Sequence, residues 1–255
     1  MNNGFVNQEV KNNISEITFG HPKSNSLPGE ILELLAKTIL AAGKDISIKA
    51  ILLKSEGDRA FCAGASFDEL LLIEELNASK KFFGGFAKVL NAMRSCGKII
   101  IVRVQGKTTG GGVGIACAAD YCFATKDAEM ALTELNLGIG PFVIGPYVER
   151  KMGKSAYIAM SIDADFRSAD WCAKHDVYHS VSENIAEMDQ EIEQFLKKLA
   201  TRSTDALALI KKVSWNGTEN LELVMPARIE MSASLILKES AKKNIELIKE
   251  RLRAK

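Results

Sequence analysis

One carboxylate and one cluster of glycines carry most of the chemistry this sequence offers. Glu134 sits in ALTELNLGIG, a mostly apolar setting for an acid. Apolar surroundings disfavour the charged form, so they move a carboxyl towards the range where it can take and return protons. Upstream, Gly110, Gly111 and Gly112 follow the strand-like run IIIVRVQG and precede the small-residue run VGIACAA. Glycines at a strand-to-helix junction let backbone N–H groups converge and approach a ligand closely. The start of a helix adds partial positive charge there. Such a place binds an anion, or stabilises an oxyanion as it forms. The same run is equally open to a plain reading, as a turn that packs a helix on a strand.

Other chemistries are excluded more readily. The one H-x-x-x-H spacing, HDVYH (His175 to His179), lacks the glutamate of HExxH, His21 stands apart, and C-x-x-C is absent, so no metal site is expected. There is no G-x-S-x-G elbow and no Walker A motif; in GKTTGGG the lysine precedes the glycines. The formal net charge of +1 gives no global pull towards nucleic acid or an acidic membrane. The five cysteines are odd in number, scattered and mostly in apolar company, which reads as reduced core thiols. MNNGFVNQEV lacks a signal pattern and no apolar run approaches the length of a membrane span, so a soluble cytoplasmic protein is expected.

Positioning these groups falls to an α/β framework. Residues 5–10 and 14–19 read as strands joined at Asn12-Asn13, which tolerate positive φ. HPKSNSLP (21–28) is a loop, and Pro28 suits the first turn of a helix over 29–42 with Ile31, Leu34, Leu35, Ile39 and Leu40 on one face. Residues 49–56 read as a buried strand, and GDRAFCAGAS (57–66) as a second glycine-containing loop. Residues 67–93 read as largely helical with Gly84-Gly85 as a candidate break, and 120–125 and 129–132 as short strands. From Pro141 the pattern is chiefly helical, over 148–161, 168–175, 184–199, 203–213, 219–237 and 240–253, with a brief strand at 176–181. This divides the chain into an α/β core (1–199) and a helical C-terminal region (200–255), with no linker between them. The charges Lys238, Lys242, Lys243, Lys249, Arg251, Arg253 and Lys255 read as a solvated helix face.

Four segments together resemble the crotonase (enoyl-CoA hydratase/isomerase) superfamily. FCAGASFDEL (61–70) resembles its F-x-A-G-A-D-hydrophobic loop, and VQGKTTGGGVGIACAAD (104–120) its V-x-G-x-x-x-G-G-G-x-E-hydrophobic-x-x-x-x-D segment. EMALTELNLGIGP (129–141) resembles F-x-x-P-E-x-x-x-G-hydrophobic-x-P, and HPKSNSL (21–27) the early R-P-x-x-x-N-A-L loop. The resemblance implies a spiral of repeated strand-strand-helix units and a helical C-terminal region that helps trimerise, usually in a hexamer. It implies an acyl-CoA or acyl-carrier thioester as ligand, and no cofactor beyond coenzyme A as part of that substrate. By motif matching, the amides of Ala65 and Gly111 would form an oxyanion hole. Losing one such donor typically costs ~3 kcal/mol of barrier. Lys23, Asn25, Ala63, Ser66 and Phe67 fall where the family cradles the CoA nucleotide, although Lys23 is equally an ordinary surface lysine.

The chain also departs from the pattern. Family hydratases use two glutamates to hold and deprotonate a water; the first position here is Gly114, the second Glu134. One carboxylate suits a single shuttling proton, which is the enoyl-CoA isomerase pattern. Ser66 stands for a usual Asp, Thr133 for a usual Pro, and His175-Asp176 for a Gly-Leu turn. Tyr121, Asp68 and Glu69 are polar groups that the sequence alone leaves unoriented. The leading expectation is an enoyl-CoA isomerase. Alternatives are a hydratase with a recruited second group, a dehydratase or decarboxylase on a carrier-bound polyketide intermediate, and a catalytically silent CoA-ester-binding protein.

Overall fold

Asn12 and Asn13 take φ of 49° and 63°, the left-handed pair a tight hairpin requires. They join β1 (Phe5–Lys11) to β2 (Ile14–Gly20) as the one antiparallel pair of the main sheet. The computed structural model describes residues 4–253. Residues 1–3, at the start of the stretch read above as lacking a signal pattern, lie outside it, as do Lys255 and the side chains of Arg251 and Arg253.

The remaining strands are β3 (Ala50–Ser55), β4 (Ile99–Val104), β5 (Thr108–Thr109), β6 (Tyr121–Thr125), β7 (Met130–Ala131) and β8 (Ser180–Ser182). The helices are α1 (Gly29–Lys44), α2 (Phe67–Leu70), α3 (Leu76–Ser95), α4 (Gly111–Ala118), α5 (Gly145–Met152) and α6 (Lys154–Asp163). They continue with α7 (Ala169–Lys174), α8 (Ile185–Ala200), α9 (Thr204–Ser214), α10 (Leu221–Ile236) and α11 (Glu239–Arg253), and a 3-10 turn spans Glu134–Leu137. The main sheet runs β1-β2-β3-β4-β6-β8, parallel from β2 onward. Alternate residues along β3 and β4 enter different cores. Ile51, Leu53, Ile100 and Val102 face one that includes α1 and α3, and Leu52, Ile99 and Ile101 face one closed by Met188 and Ile192 of α8. Burial on both faces accounts for the near-continuous apolar run of β4. Its one charge, Arg103, is answered by a bidentate bond to Asp189 on α8, at 2.6 and 3.1 Å.

A second, broken row of parallel pairings runs outside this sheet. Leu27 bridges Ala65, Cys62 bridges Thr108, and β5 pairs with β7. Each coil of chain therefore visits the main sheet, then the second row, then a helix, which is the spiral of strand-strand-helix units. α10 packs along α3, and Trp215 and Met225 belong to the main core. All five cysteines are buried and free. Among the described residues no helix is long and apolar enough to cross a membrane.

Several local expectations are corrected. α3 passes unbroken through Gly84-Gly85, and a side chain at Gly85 would stand 2.7 Å from Leu32 of α1, so this glycine serves a close helix–helix approach. The break falls instead between α2 and α3, where Leu70 and Ile73 turn into an apolar cluster with Ile139 and Ile236. The helix expected over 148–161 is two, divided at Gly153 (φ 82°). On α1 the buried stripe holds Leu32 and Ala36, while Leu34 and Leu40 are exposed, because the helix is rotated towards α3. The left-handed turn after α7 falls on Asp176 (φ 61°), with His175 at φ −108°.

Candidate active site

The short pairing of β5 with β7 sets the register of the site. Thr108 faces Met130, Thr109 faces Ala131, and the Gly110 amide donates to Ala131 O at 3.2 Å. The next residues on the two segments are the glycine cluster and the approach to Glu134, so they are carried side by side. A Cβ placed on Gly110, whose φ is 53°, would lie 3.3 Å from Glu134 Oε1. A third segment is bound to the same edge. Thr109 N–H donates to Cys62 O at 2.9 Å, Leu27 N–H to Gly64 O at 2.8 Å, and Ser66 N–H to Leu27 O at 3.2 Å. Gly64 thereby rests against Thr109 and Gly111, which delivers Ala65 to the start of α4.

With neighbouring amides engaged in this way, those of Ala65 and Gly111 find no acceptor among the described residues, and both residues line the same cavity. Gly111 admits no side chain, since a Cβ would fall 2.3 Å from the ring of Phe86. The cavity measures about 350 Å³. Its wall is largely apolar, with Phe82, Phe83 and Phe86 of α3 on one side and Phe142, Val143 and Ile144 on another. Glu134 is the one acidic residue lining it among the described residues. The residue keeps partial exposure, yet its Oε2 is sealed from solvent and has no hydrogen-bond partner. The carboxyl is thus desolvated at this oxygen although the residue as a whole is not fully buried. Burial pushes the Glu134 carboxyl up to about 7, opposed only by its own backbone N–H.

Five of the expected site residues line this cavity: Ala63, Ala65, Phe67, Gly111 and Glu134. Three do not. Ser66 caps α2, accepting from Glu69 N at 3.4 Å, so an N-cap hydroxyl stands where the resemblance expects Asp. Lys23 is exposed and paired with Asp68. Asn25 is buried at φ 54°; its amide donates to Glu56 O and Ala60 O, each at 2.9 Å, and its Oδ1 accepts from His21 N at 3.0 Å. Every polar atom of that side chain is committed to holding two loops together. Of the unoriented polar groups, Asp68 is in the Lys23 pair, Glu69 accepts from Gly29 N at 2.9 Å, and Tyr121 stacks on His179 away from the cavity. A larger groove of about 1190 Å³ at the C-terminal ends of the main-sheet strands includes Asn25 but neither Glu134 nor the paired amides. Its lining carries side chains of both charges, such as Arg59, Lys107, Asp127 and Glu183, and the convergent donors and the desolvated acid belong to the smaller cavity. Among the described residues no three His, Cys, Asp or Glu side chains are grouped to hold a metal.

The sequence reading missed Phe86 and the fate of position 114. Phe86 was legible in principle, since Phe82, Phe83 and Phe86 share a helical face. A Cβ on Gly114 would fall 2.8 Å from Ile144 Cγ2 and 3.2 Å from Leu90 Cδ1. Nothing in the local sequence links residue 114 to residue 144.

Two unengaged amides and one desolvated carboxyl thus meet in one largely apolar cavity. The chain belongs to the enoyl-CoA hydratase/isomerase family, whose model matches residues 9–255. It is 26% identical over 217 residues to a "Probable enoyl-CoA hydratase" of Bacillus subtilis, covering 82% of this chain and 84% of that protein. It is 21% identical to the "Trans-2-decenoyl-[acyl-carrier-protein] isomerase" of Streptococcus mutans, over 96% of this chain and 95% of that protein. The solved structure of an enoyl-CoA hydratase from Bacillus halodurans superposes with a TM-score of 0.89 at 20% identity, covering 95% of this chain and 99% of that one. That superposition establishes the crotonase-type fold.

Proposed function

We propose that this chain is an enoyl-thioester isomerase in which Glu134 shuttles one proton. The thioester oxygen is held by the amides of Ala65 and Gly111. Ionised Glu134 removes a proton from the carbon beside the thioester carbonyl of a 3-enoyl chain. The C–H electrons form the new double bond to the carbonyl carbon, and charge collects on the oxygen, where the two donors stabilise it. The dienolate collapses with its double bond at position 2, and Glu134 returns the proton to the carbon at position 4. Bonds and protons balance with no cofactor beyond the carrier of the acyl group.

The observation that carries this reading is the filling of position 114. The second carboxylate is not merely missing; the space beside it is taken by Ile144 and Leu90, and Ile144 forms part of the cavity wall. A water to be added across a double bond would have Glu134 as its one acid–base partner. A paired assay tests this: conversion of a 3-enoyl-CoA to the conjugated ester, against hydration of a short 2-enoyl-CoA. Isomerisation without hydration is expected, and hydration as the faster reaction overturns the reading. The names of the relatives include both activities, and one names an acyl-carrier substrate, so the assay is run with CoA and carrier-bound chains.

Two further results follow from the same geometry. Because the base must be ionised, kcat/KM for isomerisation should rise about tenfold per pH unit below 7 and level off above it. A profile flat from pH 5 to 8 contradicts a Glu134 base. The Gly114→Glu variant should gain no hydratase activity and should unfold at lower temperature, since the new side chain is driven into Ile144 and Leu90. Measurable hydration by that variant would show that the space can be reopened.

We also propose that the chain works as a homotrimer or a hexamer of two trimers. Ile158 and Ile162, one turn apart on α6 and 42% and 67% exposed, present apolar surface that a second copy would cover. Light scattering of the purified protein reads the state directly.

A further inference from the structure

Besides Thr133 and Asn136 next to Glu134 in the chain, the Glu134 cavity is lined by a polar side chain from a distant helix that the reaction does not use. Ser232 of α10 lines the cavity and is 1% exposed. A serine inside a helix normally returns its hydroxyl to the carbonyl one turn back. Others in this chain do so: Thr38 to Leu34 O at 2.8 Å, Ser95 to Asn91 O at 2.8 Å, and Ser161 to Tyr157 O at 2.7 Å. Ser232 Oγ makes no such bond and has no other partner among the described residues, although it is not sealed off as Glu134 Oε2 is. The same cavity is lined by Phe82 and Phe83 and is largely apolar, and an idle hydroxyl there forfeits hydrogen bonding that water would supply.

Helix α3 gives the distance from the chemistry. Phe86 lies against Gly111, and seven residues earlier on the same helix Ser79 Oγ donates to Ala233 O at 3.1 Å. Seven residues of helix rise about 10 Å. Ser232 therefore stands several carbon atoms beyond the thioester carbonyl, along the wall an acyl chain would follow. Among the described residues no Lys, Arg or His lines the cavity, so a charged substituent would meet no opposite charge there.

We infer that Ser232 recognises a neutral oxygen substituent, a hydroxyl or a ketone, on a medium-length acyl chain. This rests on the reading of the cavity as an acyl-thioester site and narrows the substrate class to oxygenated chains. A hydrogen bond of this kind is worth about fivefold to tenfold in affinity.

Calorimetry with saturated medium-chain acyl-CoA esters, each paired with its ω-hydroxy counterpart, tests the inference independently of which reaction is catalysed. Wild-type protein should bind at least one hydroxylated ester about fivefold to tenfold tighter than its plain partner. In Ser232→Ala that ratio should fall to one or below, and in the nearly isosteric Ser232→Cys it should shrink, with circular dichroism confirming that both variants fold. Equal binding within every pair by the wild type, the result if Ser232 holds only a water, overturns the inference and leaves the acyl site standing. Absence of binding by every ester overturns the acyl site itself, and the inference with it.

Discussion

Glu134→Gln is expected to lower kcat for 3-enoyl-CoA isomerisation about a thousandfold while leaving the protein folded. Positioned proton transfer typically contributes 10²- to 10⁴-fold, and here one group both removes and returns the proton, so its loss is placed well above the lower end of that range. Gln keeps the size and hydrogen-bonding reach of Glu but cannot take a proton. KM should change little, because the thioester is held by the Ala65 and Gly111 amides. Turnover within tenfold of wild type would remove Glu134 from the mechanism.

The same substitution carries its own control in stability. The folded carboxyl titrates near 7, above its ordinary value of 4.5, so the native state binds the proton more tightly than the unfolded chain. Stability from this group is full below about pH 4.5 and is lost as the pH rises to about 7, because the unfolded state then releases a proton that the folded state holds. Relative to Glu134→Gln, the wild type should therefore lose up to roughly 3 kcal/mol between pH 4.5 and 8, an upper bound because Glu134 keeps partial exposure. Urea unfolding of both proteins at the two pH values measures the difference. A variant that gains stability at pH 8 while losing activity would show a carboxylate kept in a costly place for chemistry.

That pairing explains why some of the site was legible in the sequence and some was not. Glu134 and Gly110 to Gly112 announce themselves because their types are rare in such settings: an acid among leucines, and three glycines at a strand end. Ala65, which lines the same cavity, was marked only by motif order, since alanine has no side-chain chemistry of its own. The places of Asn25 and Ser66 were not legible, for the opposite reason. Their side chains are chemically able, but the fold commits them to loops and a helix cap, and that depends on carbonyls far away in sequence. The filled space at Gly114 depends on Ile144 and Leu90, two unremarkable aliphatics that carry no local signal. The main strands were readable because each is a short apolar run between turn residues. The break after α2 was not, because FDELLLIEEL has helical periodicity throughout and only the packing of Leu70 and Ile73 against Ile139 and Ile236 turns the chain aside.

The largest effect on folding is expected at Asp120, which the motif comparison marked only as the end of the glycine segment. Its Oδ2 accepts from Ile100 N at 2.8 Å and from Lys211 Nζ at 2.7 Å, and its Oδ1 accepts from Trp215 Nε1 at 3.0 Å. Lys211 also donates to Met93 O at 2.8 Å, and the two charged side chains are only 10% and 3% exposed. One carboxylate thus joins the start of β4, the end of α3 and helix α9. Arg150 covers the assembly, stacked 4.1 Å from the Trp215 ring. Breaking a buried pair by removing one partner typically costs 3–5 kcal/mol, because the other charge is stranded. Asp120→Ala should therefore cost about 4 kcal/mol in urea unfolding, with Ile100 N–H and Trp215 N–H losing their acceptor as well. Lys211→Met should cost less, since the carboxylate keeps two donors. The double variant Asp120→Ala/Lys211→Met should be no less stable than Asp120→Ala alone, as removal of the stranded ammonium offsets the lost lysine contacts. Strict additivity of the two single effects would show that the ion pair is not coupled. A cost below 1 kcal/mol for Asp120→Ala would mean that α9 is held by its apolar contacts alone.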